Sequence, residues 1–193
     1  MKRRTFDGLA SLIGLMLAVI LLIAAGLLNW GASFASNSVK SQLSAQTISI
    51  PGATHNPKES ADVTKFFADN ADKIMSTGKQ AQMYADHYIA FHLAGMPTYE
   101  SASSANRAAG AALAADPTNA DLKAKATSAG AVVDTVFKGT MLRGTLLTAY
   151  AFGFIGTIAG IGAVATGIMG ILFLLLALLG YMHFRRTDES TAI

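Results

Sequence analysis

The sequence predicts an all-α membrane protein, with two transmembrane helices flanking a small helical extracytoplasmic domain. Three observations lead there. No Asp, Glu, Lys or Arg occurs from Gly8 to Val39 or from Gly144 to Phe184, and an apolar run of about 18 or more residues is long enough to cross a bilayer. Only 14% of the 193 residues are charged, where a typical soluble domain has about 25%. Basic residues flank both runs, as "KRR" at 2–4 and "RR" at 185–186. Positive residues beside a span tend to stay in the cytoplasm, so both termini are expected there and the number of spans is even.

The expected organisation is a cytoplasmic tail at 1–8, a transmembrane helix at 9–30, an extracytoplasmic helical domain at 31–153, a second transmembrane helix at 154–184 and a cytoplasmic tail at 185–193, all in the inner cell membrane. The first span, "LASLIGLMLAVILLIAAGLLNW", ends at Trp30, an aromatic suited to the membrane interface. It is longer than the roughly 7–15 apolar residues of a cleaved signal, so it is read as an uncleaved anchor. The second run covers 41 residues, 144–184, and would reach about 60 Å as one helix. One span preceded by an apolar helical lead-in fits the flanking charge. A hairpin of two short spans is the alternative, and it would put Arg185 and Arg186 outside.

Between the spans, "QTISIP" at 46–51 alternates polar and β-branched residues and reads as a short strand or extended arm. "GATHNPKES" is a loop. A helix is expected from Ser60 or Asp62, with Val63, Phe66, Phe67 and Ile74 at helical spacing, broken at Gly78. The next runs from about Lys79 to Ala94, stopped by Gly95 with Pro97 beyond. "ESASSANRAAGAALAA" can form a helix but has little to bury. Asp116 then reads as a cap, with Pro117 at the first helical position. No breaker follows before the second span, so one long helix is expected from the outer domain into the membrane.

The most chemical-looking stretch is "AQMYADHYIAFHLAGMPTYES", 81–101. His87 and His92 are five residues apart, which on an α-helix turns them about 140° from one another. Helical metal pairs sit at i,i+3 or i,i+4, so neither a metal nor another cofactor is expected. Tyr84, Tyr88 and Phe91 read as a packing face that the histidines complete, with a recognition role open to Tyr84, His87, Tyr88 and His92. The chain has no cysteine, which excludes disulfides and thiolate chemistry. It has neither a Gly-x-Ser-x-Gly elbow nor a phosphate-binding Gly-Lys loop, and it is expected not to be an enzyme. Its basic residues are dispersed, which argues against nucleic acid as a partner.

Two further features concern packing. "GFIGTIAGIGAVATGIMG" sets Gly156 and Gly160 four residues apart, a spacing that lets helices approach closely in lipid. Gly14 and Ala18 of the first span offer a matching surface, for close packing between the two spans or between protomers. Arg143 is the only charge after Lys138 in an apolar lead-in. It is expected to pair with Asp86 or Glu100, or to reach lipid phosphate.

"GKQAQMYADHYIAFHL" (78–93), "TYES" (98–101) and "VFKGTMLRGTLLTAYAFG" (136–153) resemble landmarks of an uncharacterised actinobacterial family of two-span membrane proteins. The resemblance covers nearly the whole chain and implies an outer helical domain between two spans with basic tails. Met96-Pro97 and Thr140 depart from the family pattern. Some relatives carry the label aromatic ring-opening dioxygenase. That chemistry calls for an iron site of converging His and Glu side chains, whereas here the histidines diverge. The function expected is that of a non-enzymatic, membrane-anchored interaction protein. It would be an accessory subunit of a membrane or envelope complex, or a homo-oligomer, with the bilayer and a membrane protein or a second copy as partners. The alternative is an extracytoplasmic domain that binds a small ligand or signal and works through a membrane partner.

Overall fold

A computed structural model describes residues 3–186. The expectations for Met1, Lys2 and 187–193, which include most of the C-terminal tail, lie outside the described residues. The elements are α1 (Arg3–Ala45), α2 (Ala61–Asp69), α3 (Gly78–Met83), a π-helical turn (Tyr84–Ile89), α4 (Ala90–Ala94), α5 (Tyr99–Ala115) and α6 (Ala120–Arg186). The described residues are all-helical, without a strand; an isolated antiparallel bridge joins Ser49 to Ile74. Helices α1 and α6 are each long and apolar enough to cross a membrane. The chain divides into two compact units: residues up to Ser38 together with those from Phe154 onward, and Val39–Gly153.

The first unit is an antiparallel pair held by small residues. A Cβ on Gly8 would meet the Phe184 ring, one on Gly14 would meet Ala177, and one on Gly160 would meet Ala32. Ser11, Ala18, Ala25 and Ala32 recur every seven residues on α1, as do Gly156, Ala163, Gly170 and Ala177 on α6. A seven-residue repeat keeps one seam facing the partner helix when two helices wind left-handedly around each other. Small side chains along that seam let the backbones approach. The seam corrects the expected mating of Gly14 and Ala18 with Gly156 and Gly160 where it is read within one chain. In an antiparallel pair those sets lie toward opposite ends, so Gly156 faces Ala35 and Gly14 faces Ala177.

The second unit has its own core: Val39, Leu43, Ile50, Phe67, Met75, Ala81, Met83, Ala85, Ile89 and Leu146 are buried together. The end of α1, the arm at 48–50, α2, the α3–π–α4 run and α6 all contribute. The helix expected to continue to Gly78 stops at Asp69 instead. Asn70 Nδ2 donates to Phe66 O at 2.8 Å, and Asp72 takes a left-handed φ of 60°. The chain then runs extended, with Ile50 N donating to Lys73 O and Met75 N to Ile48 O, so Ile74 belongs to an arm rather than a helix. A second correction concerns α6. Asp116 ends α5, and it is Asn119 Oδ1 that accepts from the first free amides of α6, Asp121 N at 3.0 Å and Leu122 N at 3.2 Å. Pro117 therefore precedes the cap.

Candidate functional site

The site is built on the helical run from Gly78 to Ala94. Its start is fixed by a capping box: Thr77 Oγ1 accepts from Gln80 N at 3.2 Å, and Gln80 Oε1 accepts from Thr77 N at 3.1 Å. Gln80 Nε2 reaches back to Asn70 Oδ1 at 3.1 Å, tying this helix to the end of α2. Gly78 is required because a Cβ there would stand 3.2 Å from Tyr150 Cα on α6.

From Tyr84 to Ile89 the helix widens to i→i+5 bonding, and Ala90 N–H donates to Ala85 O. Single π turns are uncommon and often sit at functional sites. Arg143 holds this one from α6. Its Nε donates to the same Ala85 carbonyl at 3.2 Å, and its Nη2 donates to Asp86 Oδ1 at 2.9 Å. A carbonyl oxygen has two lone pairs, so Ala85 serves both donors. The pair is only partly screened from water, with 40% and 33% of the two side chains exposed. Glu100, the other candidate partner, lies in the first turn of α5.

The two histidines take different partners. His87 Nδ1 donates to Glu59 Oε2 at 3.0 Å, and Glu59 Oε1 also accepts from Asn56 Nδ2 at 3.1 Å. The π turn is thereby tied to the 54–59 loop. His92 Nδ1 donates to Tyr88 O at 2.7 Å, four residues back on its own helix. The rings form a ladder: Tyr84 to Tyr88 at 4.9 Å, Tyr88 to His92 at 4.4 Å, and His92 to His55 at 6.2 Å between centroids. His55 comes from the loop with a left-handed φ of 63°, a conformation that side chains other than glycine adopt mainly when surrounding contacts hold it. Among the described residues, no group of three or more His, Asp or Glu is placed to hold a metal ion. Glu59 was not legible as the partner of His87, since it lies 28 residues away along the chain.

Burial, then the neighbouring Tyr88, raises the Tyr84 hydroxyl above its ordinary value of 10.0. The folded state therefore holds this proton more tightly than the unfolded chain, so the stability it contributes is full below pH 10 and is lost as pH rises beyond it. Tyr84→Phe should flatten this alkaline loss. Tyrosinate absorbance should show one residue ionising late in the native protein and normally after unfolding. Coincident titration of all tyrosines would contradict this account.

Every carboxylate and imidazole on the run has a partner within the chain, and the rings face one another. These contacts join α6, the π turn and the loop. No protein family, curated protein or solved structure matches this chain.

Proposed function

We propose that the chain is a non-enzymatic, membrane-anchored interaction protein, an accessory subunit of a membrane or envelope complex or a self-associating one. Both termini lie in the cytoplasm and the second unit lies outside. The observation that carries this reading is an exposed apolar patch on the second unit. Phe137 and Met141, one turn apart on α6, are 49% and 55% exposed, and Tyr99 is 50% exposed. The Tyr99 and Phe137 rings lie 5.9 Å apart. Clustered apolar side chains of this size on a surface mark contacts. The acidic groups of the candidate site support a structural role too, since Asp86 is engaged by Arg143 and Glu59 by His87. The three stretches that resemble the actinobacterial family meet in this unit: Gly139 packs against Leu93, Gly78 against Tyr150, and Tyr99 against Phe137.

Crosslinking in native membranes, followed by native mass spectrometry in mild detergent, should yield the chain with a second copy or a companion. Phe137→Glu with Met141→Glu should abolish that species. A clean monomer would count against the reading. For orientation, Lys58 and Lys123 should react with an impermeant amine reagent in cells whose outer barrier is opened, while a cysteine at Thr5 should stay unlabelled by an impermeant thiol reagent. The reverse pattern would invert the topology. The half-exposed Tyr84–Tyr88–His92–His55 ladder favours a second reading, an outer domain that binds a small ligand. A ligand that raises the melting temperature of the wild type but not of a Tyr88→Ala variant would establish it.

A further inference from the structure

We infer that the first unit carries a binding groove for an anionic phospholipid, where α1 begins and α6 ends; this rests on the membrane reading above. A cavity of about 490 Å³ lies beside the seam, lined by Gly8, Ser11, Leu12 and Leu15 of α1 and by Ala177, Leu178, Tyr181 and Phe184 of α6. It exists because the seam positions here carry small side chains while their neighbours are large. Gly8 lies under the Phe184 ring, where a Cβ would approach to 3.2 Å, and one on Gly180 would meet Ser11 Oγ at 2.5 Å. The helices are thus as close as they can come, and the space left open is the groove beside them.

The groove is apolar. The Ser11 hydroxyl that faces the seam donates to Asp7 O at 2.7 Å and is not left seeking a partner. Its mouth is cationic. Arg4 stacks over Phe184, with Cζ 5.1 Å from the ring centre, and Arg3, Arg185 and Arg186 are exposed at the same end. Among the described residues, the acidic group there is Asp7, whose side chain is 17% exposed and turned toward His183, with Oδ2 3.8 Å from Nε2. An acyl chain fits the groove of any phospholipid, but the headgroup decides among them. Guanidinium forks bind phosphate oxygens in pairs, and basic side chains at a membrane surface favour anionic over zwitterionic lipid.

The test uses the full chain, purified in mild detergent and titrated with phosphatidylglycerol or phosphatidylcholine, read by native mass spectrometry and melting temperature. Phosphatidylglycerol should be retained about tenfold more strongly and should raise the melting temperature where phosphatidylcholine does not. Arg3→Gln with Arg185→Gln and Arg186→Gln should bring the two lipids to near parity while leaving the lipid-free melting temperature unchanged. Leu12→Trp, which fills the groove, should reduce retention of both. Equal retention by the wild type, or a preference that survives the triple substitution, would overturn the inference. So would inorganic phosphate raising the melting temperature as much as the lipid does, since the groove would then be irrelevant. Release of the protein from membranes by alkaline carbonate would overturn the membrane reading itself, an outcome distinct from lipid parity in detergent.

Discussion

Replacing Arg143 with Ala should lower the melting temperature of the protein by several degrees and loosen the Tyr84–Ile89 turn. The guanidinium makes two hydrogen bonds from α6, to the Ala85 carbonyl and to the Asp86 carboxylate. A hydrogen bond to a charged group contributes about 1.5–3 kcal/mol when well buried. With both side chains more than a third or about a third exposed, solvent screening brings the expected loss toward about 1–2 kcal/mol. Leu142, Leu147 and Ala149 on α6 pack against the core of this unit, so the damage should stay local. Amide hydrogen exchange should speed up across 84–90 more than across α2. Arg143→Lys should recover only part of the loss, because an ammonium cannot serve a carbonyl and a carboxylate with the geometry of a fork. Asp86→Asn should cost less than Arg143→Ala, since it keeps an acceptor and leaves the Ala85 bond in place. If Arg143→Ala matches the wild type in melting and in exchange, the arginine is only a surface anchor.

Which parts of this arrangement could be read in advance follows from how far each interaction reaches along the chain. The two long apolar helices were legible because absence of charge is a property of composition, and the helix end at Gly95 because a local residue type encodes it. Asp86 could be named as one of two partners for Arg143 because a lone arginine in an apolar stretch needs an acceptor. The π turn could not be seen. Nothing in its residue types marks a π turn, and the widened turn is held by an arginine more than fifty positions away. The 140° separation of His87 and His92 holds only for an unbroken α-helix; here the π turn intervenes, and both side chains meet the 54–59 loop, His87 at Glu59 and His92 at the His55 ring. Helical spacing alone places Ile74 in a helix, whereas a left-handed Asp72 turns the chain before it. The mating of the small residues follows from topology: if both termini lie on one side of a membrane the two spans are antiparallel, and Gly14 then belongs near Ala177.

That seam supports the most direct test of the first unit, a series of alanine substitutions at glycine whose cost should follow the space each Cβ would find. On Gly156 the new carbon would stand 2.8 Å from Ala35 Cβ, closer than carbons approach. Because that neighbour is fixed to its own backbone and cannot swing away, the helices must separate. Overpacking of this kind typically costs about 1–3 kcal/mol, and Gly156→Ile should cost more. Gly14→Ala, at 3.4 Å from Ala177 Cβ, meets ordinary contact and should cost little. Gly31→Ala, with nothing within 4 Å, should be neutral or slightly stabilising, because alanine favours the helix over glycine by up to about 1 kcal/mol. Thermal unfolding in one detergent should therefore rank the variants Gly31→Ala, Gly14→Ala, Gly156→Ala and Gly156→Ile from most to least stable. A compensating change sharpens the test: Ala35→Gly removes the atom that Gly156→Ala would strike, so the double variant should recover much of the loss although Ala35→Gly alone is destabilising. Rescue of that kind requires the two positions to touch. If Gly156→Ala behaves like Gly31→Ala, or if Ala35→Gly worsens it additively, α1 and α6 do not meet along this seam.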